Sequence, residues 1–469
     1  MCTHVNENFD VVVLGGGPGG YVAALRAAQL GLKTAVVERE HLGGICLNWG
    51  CIPTKTLLHG ADIVRALRHA ADYGVHAAEP RIDLAAMIAR SRTVAGRLSG
   101  GIGHLLKKAK VQVFAGKGRF SSGEQLEVTT PDGRVQSIRG RHTIVATGAR
   151  ARALPDLPFD GQRVWSYRDA LAPQRLPQSL LVLGGGAIGL EFASFYAELG
   201  TRVAVLEAQP RLLPAGDADV SAFVEKTMTR DGIAVRTGST LVRAEPTGTG
   251  LRASVLGPRG EETLEAEHML VAIGLVGNTQ DLGLDKTRVR LSRDLIEVNE
   301  WGETAHPCIH AIGDVVGIPM LAHKAMHQGI VVAERIAGHR PEGRAPHPAI
   351  PACTYGHPQT AGIGLSEEDA KAQGREVRIG RFPLEGNGKA VAVGEASGFV
   401  KTIFDSRTGE LLGAHIAGPE ATEMIQGFAV AIGLEGTEAE LMETVFPHPT
   451  ISEAMHESVL AAYGRALHI

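Results

Sequence analysis

Phe9-Asp10-Val11-Val12-Val13-Leu14-Gly15-Gly16-Gly17-Pro18-Gly19-Gly20 is the stretch on which the fold turns. Phe9–Leu14 reads as a buried parallel strand, and the run Tyr21–Leu30, closed by Gly31, reads as a helix. Strand, tight turn and helix in that order set Gly15, Gly17 and Gly20 on a G-x-G-x-x-G fingerprint. The first glycine makes the turn, the second lets backbone approach a pyrophosphate, and the third lets helix and strand pack closely. The helix N-terminus then faces the phosphates. Lys33–Val37 supplies the next strand, and Glu38, 23 residues after Gly15, ends it where a carboxylate accepts hydrogen bonds from ribose hydroxyls.

The pattern recurs. Leu180–Leu183 is a strand, Gly184, Gly186 and Gly189 form the loop, Leu190–Leu199 the helix and Thr201–Leu206 the next strand, with Glu207 again 23 residues after the first glycine. An internal repeat of a dinucleotide module implies two dinucleotides. Glu207 would repel a 2′-phosphate and suits a free 2′-hydroxyl, so NAD is preferred over NADP, with Arg211 near enough in sequence to temper that preference. His142–Gly148 and Met269–Gly274 read as closing strands and make Thr147, Gly148 and Gly274 candidate cofactor neighbours. Ile309–Asp314 is an apolar strand ending in an acid. Asp314 either meets the ribityl or phosphate region of a long cofactor or caps the helix that follows.

The chain has 469 residues, enough for about three domains, with 44% hydrophobic and 21% charged residues and a net charge of -4. That balance offers no basic footprint for nucleic acid or an anionic membrane surface. Met1–Asn8 lacks a basic start and an apolar core of a signal peptide, and no stretch approaches the roughly 18 apolar residues of a membrane span. Five cysteines, an odd number, suit a reducing interior, so the expected location is cytoplasmic.

Two of those cysteines stand close together in Gly43-Gly44-Ile45-Cys46-Leu47-Asn48-Trp49-Gly50-Cys51-Ile52-Pro53-Thr54-Lys55. Structural disulfides gain most by closing long loops, which this pair does not do. Half of a zinc site would need a second ligand pair, and neither Cys308 nor Cys353 has a Cys or His suitably spaced. Two inert buried thiols and a redox pair remain open on these residues alone. His323 and His327 are four apart on a probable helix without a third ligand at matching spacing, so no metal is expected.

The Cys46–Cys51 run, the two fingerprints, the Ile312-Gly313-Asp314 stretch and the late Phe446-Pro447-His448-Pro449-Thr450-Ile451-Ser452-Glu453 together resemble the pyridine nucleotide-disulfide oxidoreductases over essentially the whole chain. Pro319–Lys324 and the tail from His448 to Ala466 are most similar to the members that oxidise dihydrolipoamide. Mercuric ion reductases carry a C-terminal cysteine pair that is absent here, glutathione and trypanothione reductases use NADPH, and soluble transhydrogenases lack the disulfide. One departure is Gly274-Leu275-Val276-Gly277-Asn278, where many relatives place an Arg after the glycine.

The resemblance implies FAD on the first module, NAD on the second, a redox disulfide Cys46–Cys51 and a homodimer whose C-terminal domain completes the partner's site. It implies that dihydrolipoamide, presented on the lipoyl domain of an acyltransferase component or on a glycine-cleavage carrier, attacks Cys46 and releases Cys51 as a thiolate toward the flavin. His448 is the expected base and Glu453 its orienting acid. Lys55, one helical turn beyond Cys51, and Glu191, opening the second module's helix, match positions that pair beneath the flavin in the family.

The expected fold is α/β, with two Rossmann-like dinucleotide-binding domains and a C-terminal α+β dimerisation domain. FAD-binding parts span 1–150 and 277–347, the NAD-binding domain 151–276 and the interface domain 348–469. Pro346–Pro358 reads as a linker, Phe399–Phe404 and Leu411–Ile416 as strands of an antiparallel sheet, and Glu423–Leu434 as a helix. Ala71–Leu106 is helical in pattern with polar interruptions and has no assigned role. The fold begins within about nine residues of Met1, so no attached lipoyl domain is expected.

Overall fold

The computed structural model describes residues 7–339 and 349–469; the start of the polar N-terminal stretch and Pro346–Pro348 of the expected linker lie outside them. The described residues divide into two compact units, one of 7–56, 85–152 and 274–339, the other of 57–84, 153–273 and 349–469.

In the first unit β1 (Glu7–Leu14) pairs in parallel with β2 (Thr34–Glu38) on one side and with Val135–Val145 on the other. Both faces of β1 are covered. Val11 and Val13 pack with Ala23, Ala24 and Ala27 of helix α1 (Pro18–Gln29), while Val12 and Leu14 pack with Val37, Phe114 and Phe120. This explains why the strand reads as an apolar run instead of an alternation. Val135–Val145 is longer than the expected His142–Gly148 because its first half pairs antiparallel with Gln125–Thr129, whereas its second half sits between β1 and Ile309–Ala311. It stops before Thr147 because the chain turns at Gly148, φ +69°.

The second unit repeats this order: Ala234–Arg236, Arg202–Leu206, Ser179–Leu183, His268–Val271 and Val164–Trp165 form a parallel sheet, joined by an antiparallel meander over 240–266. Its C-terminal part is an antiparallel five-stranded sheet in which Phe399–Asp405 and Leu411–Ala417 are neighbours. Ala421–Gly433 and Glu453–Ala462 cover it through Met424, Ile425, Phe428 and Val459. The chain therefore has the expected α/β modules and a C-terminal α+β part.

Four expectations need correction. Both nucleotide helices start three residues early, at Pro18 and Ala187, because the last glycines of each run belong to the first turn and a proline at the first helical position is favourable. Glu191 is consequently the fifth residue of its helix and does not open it. Asp314 lies in a short 3₁₀ turn, and the following helix, Ala322–Ile336, is preceded by Leu321, so Asp314 caps nothing there. Ala71–Leu106 is not one helix: a 3₁₀ turn at Ala70–Tyr73 ends at Gly74, φ +75°, and helix begins again only at Leu84.

Candidate active site

The two glycine loops are the same structure built twice. Gly15 and Gly184 both have φ +108°, and a Cβ at either would lie 2.3–2.4 Å from the carbonyl oxygen of Ala146 or Ala272. A Cβ added to Gly20 would lie 1.9 Å from the Gly15 oxygen, and one on Gly189 2.0 Å from that of Gly184. The two acids repeat as well. Glu38 accepts from the amides of Gly16 (2.7 Å) and Glu40 (2.8 Å), and Glu207 from those of Gly185 (2.6 Å) and Gln209 (2.7 Å). Each carboxylate oxygen thus holds one bond of the loop and keeps a further lone pair for a ribose hydroxyl. Arg211 is already engaged: its guanidinium meets Glu368 at 2.8 Å and the carbonyls of Pro214 and Gly216.

The modules diverge at one hydrogen bond. The Gly185 oxygen accepts from Leu213 in the second module, and the Gly16 oxygen accepts from Gly43 (2.8 Å) in the first. Gly43 opens the cysteine segment, so the redox candidates are docked directly on the first nucleotide loop. A Cβ on Gly44 would come within 2.8 Å of the Gly17 Cα, which is why this approach needs glycine.

Cys46 lies in the short helix α2 (Gly44–Trp49); Gly50 breaks it, and Cys51 is the first residue of α3 (Cys51–Arg68), with Pro53 in its first turn. Both residues stand as half-buried thiols. The hydrogen bond to Cys51 pushes the Cys46 thiol up, and burial and the Cys51 charge add to it, against the pull of Lys55. One proton is thus kept on Cys46 while Cys51 sits at a helix N-terminus, the place that favours a thiolate. Lys55 is one turn further along α3 in the first unit. Glu191 is buried in the second unit, where its carboxylate accepts from the Tyr355 amide at 3.0 Å.

At the C-terminal end, His448 Nδ1 lies 2.9 Å from Glu453 Oε1, and the Thr450 amide donates to Glu453 Oε2 at 2.8 Å. Burial pushes the Glu453 carboxyl up, but the bonds from Thr450 and His448 outweigh it and hold the group below its ordinary range. The second imidazole nitrogen points away from this bond on a side chain that is 78% exposed.

Residues 9–329 match the family described as pyridine nucleotide-disulphide oxidoreductase, and residues 350–459 match its dimerisation domain. The chain belongs to the pyridine nucleotide-disulphide oxidoreductases. It is 53% identical to the dihydrolipoyl dehydrogenase of Zymomonas mobilis over 98% of this chain and 99% of that one, and 46% identical to that of Rhizobium etli over the same shares. Among solved structures, LpdA from Mycobacterium tuberculosis superposes with a TM-score of 0.89 at 31% identity, covering 97% of this chain and 99% of the other. The HOCl-induced flavoprotein disulfide reductase RclA from Escherichia coli does so with 0.84 at 25% identity, covering 96% and 99%.

Pyridine nucleotide-disulphide oxidoreductases use a flavin and a nicotinamide dinucleotide, and the residues present fit both. In front of the second helix, a Cβ at Gly186 would meet nothing within 4 Å, and at Gly17 only the Gly44 Cα at 3.9 Å, so each loop leaves room where a pyrophosphate would lie. Asp314, at the end of Ile309–Ala311, is pushed up by burial against the pull of Lys324. Lys324, whose ammonium donates to the Gly317 carbonyl at 2.7 Å, is a buried charge beside the flavin module that periodicity did not single out. Thr147 and Gly148 are tied to Asn278: the Thr147 hydroxyl donates to the Asn278 carbonyl, and the Asn278 amides reach back to both residues. The Leu275–Val276 departure falls on a strand paired with Ala149–Ala151, a ladder that needs no particular side chain. Gly274 enters this strand at φ +116°.

The near-contact at Gly189 carries a prediction. In Gly189→Ala the new methyl must displace the Gly184 turn, overpacking that costs about 1–3 kcal/mol. The KM for NAD⁺ in steady-state NADH formation is expected to rise by roughly tenfold, with FAD content unchanged. An unchanged KM would show that the second loop does not carry the nicotinamide cofactor.

Proposed function

We propose that this chain is an NAD-dependent dihydrolipoyl dehydrogenase that reoxidises the dihydrolipoyl groups of a 2-oxo acid dehydrogenase or glycine-cleavage complex. The observation that carries the reading is the Cys46–Cys51 pair, in mutual hydrogen bond, on a segment whose Gly43 is bonded to the first dinucleotide loop. FAD, when bound, supplies the two-electron acceptor for this pair, and NAD⁺ the terminal hydride acceptor. Gly15, Gly17, Gly20, Glu38, Thr147, Gly148 and Asp314 would hold the first, and Gly184, Gly186, Gly189, Glu207 and Gly274 the second.

The chain's own chemistry is thiol–disulfide exchange. One sulfur of dihydrolipoamide, deprotonated by His448, attacks Cys46 Sγ of the oxidised pair; the Cys46–Cys51 bond breaks and Cys51 leaves as a thiolate. As the second substrate thiol attacks the substrate sulfur in the mixed disulfide, His448 passes its first proton to the departing Cys46 sulfur and takes up the second. Lipoamide is released and Cys46 is left reduced. Two electrons and two protons have left the substrate. Glu453 keeps His448 in one tautomer and stabilises the imidazolium. Because the base carries an exposed ring and lies in the dimerisation segment, the reading has it serve the partner's Cys46. Lys55 and Glu191 are assigned to the flavin side of the pair. The reading assigns the enzyme to the cytoplasm, which an odd number of cysteines supports.

Purified protein given dihydrolipoamide is expected to form NADH from NAD⁺ and to prefer it over NADP⁺ by roughly 10²-fold, since Glu207 opposes a 2′-phosphate and like charges placed together cost several kcal/mol. Reduction of glutathione disulfide by NADPH, with no NADH formed from dihydrolipoamide, would overturn the assignment.

A further inference from the structure

The long helix α4 (Leu84–Lys108) has one face in the core, through Ser91, Ala95, Ile102 and Leu106. A second stripe, Arg92, Ser99 and Gly103, falls on one side of the helix at i, i+7 and i+11 and lies along the cysteine segment. Ser99 Oγ donates to the Leu42 carbonyl at 2.7 Å, and a Cβ on Gly103 would sit 3.7 Å from the Leu42 side chain. Seven residues earlier on the helix, Arg92 Nη1 donates to the Asn48 carbonyl at 2.7 Å, and the guanidinium lies 4.6 Å from the Trp49 ring centroid. Asn48 closes the loop on itself, its amide donating to the carbonyls of Leu42 (3.0 Å) and Gly44 (2.9 Å). Cys46 lies between these two anchors.

Arg92 is a costly residue for this position. Among the described residues its Nε and Nη2 are buried without a hydrogen-bond partner, where an apolar side chain would pack against Trp49 and leave no orphan donor. What arginine adds is the bond to a carbonyl in the last turn of α2, where a cation also meets the negative end of the helix, and the stack on Trp49. Both act on the residues that separate the two cysteines.

We propose that Arg92 is a positioning residue for the redox pair. It holds Cys46 at a fixed separation from Cys51, and so sets the effective concentration of one thiol at the other and the reduction potential of the disulfide. The inference rests on the Cys46–Cys51 disulfide of the proposed function. The equilibrium concerned is closed: dihydrolipoamide and the enzyme disulfide exchange to lipoamide and two cysteine thiols, two electrons and two protons passing from substrate to enzyme.

The test equilibrates holoenzyme, without NAD⁺, in mixtures of dihydrolipoamide and lipoamide, quenches with an alkylating reagent and reads the Cys46–Cys51 disulfide fraction by peptide mass spectrometry. Arg92→Met keeps an apolar stem over Trp49 and removes the charge and the bond. Its disulfide is expected to be about tenfold less stable, a rise in midpoint potential of about 30 mV. Arg92→Lys, which keeps a cation over the ring, is expected to recover part of the shift, and Arg97→Met, on the exposed side of the same helix, to match wild type. Ser99→Ala is expected to move the potential in the same direction by less, and it serves as the test should Arg92→Met not fold. Wild-type potential in both Ser99→Ala and any folded Arg92→Met protein, whatever their melting temperatures, would overturn the inference. Absence of a Cys46–Cys51 disulfide in the wild-type enzyme would instead overturn the proposed function.

Discussion

Cys51→Ser enzyme is expected to retain FAD and to lose dihydrolipoamide-dependent NADH formation by roughly 10³-fold or more, the scale on which removal of an essential nucleophile is felt. The reason is stoichiometric before it is energetic. Without Cys51 there is no disulfide at Cys46 for the substrate thiolate to attack, so the two electrons have no acceptor among the side chains of the segment. Serine cannot stand in, because an alkoxide at a helix N-terminus is not reached at neutral pH, whereas a thiolate there is. Fold and flavin binding should survive, since Cys51 is only half-buried and the glycine loop is built from other residues. The control is NADH oxidation by an artificial acceptor, which bypasses the pair and should remain within about twofold of wild type. Turnover of dihydrolipoamide above a tenth of wild type would remove Cys51 from the reaction.

The second large effect concerns His448. General acid–base catalysis contributes typically 10²–10⁴-fold, so His448→Ala is expected to slow dihydrolipoamide oxidation by roughly that factor and to leave the artificial-acceptor reaction alone. The pH profile gives the sign. Unperturbed thiols ionise near pH 8.5, so as pH rises toward that value the substrate supplies its own thiolate and the deficit of the variant should shrink. A constant deficit across that range would argue for a structural defect instead of a missing base. Glu453→Gln should cost less, about tenfold. The amide can still contact the ring, but it no longer stabilises the imidazolium that the Glu453 carboxylate, held ionised by the Thr450 amide and His448, is placed to meet.

Much of this site could be read before any coordinates. Gly15, Gly17 and Gly20, their counterparts Gly184, Gly186 and Gly189, and the acids that follow them obey short-range rules of turn, helix start and strand end, which a single stretch of chain displays. Cys46 and Cys51, and His448 with Glu453, are each within five residues of one another, so their pairing too lies within local reach. Helix starts are less legible: a glycine run signals a loop, but in these modules the last glycine is a packing residue of the first helical turn, so each helix begins three residues before its first apolar run. In Ala71–Leu106 the polar interruptions mark where the backbone leaves the helix, between Gly74 and Leu84.

By itself, then, the sequence determined the modules, their order and the residues capable of chemistry. Tertiary structure alone decided what those residues touch. Arg211, ambiguous beside Glu207, is claimed by Glu368, 157 residues away. Lys401, in the middle of Phe399–Asp405, is 2% exposed and ringed by Asp217, Asp219 and Glu367. Arg92, in a segment without an assigned role, reaches Asn48 beside the cysteines. Each depends on two distant stretches meeting at hydrogen-bond range. Such meetings follow from the packing of whole elements, and neither stretch carries a local signal of the other.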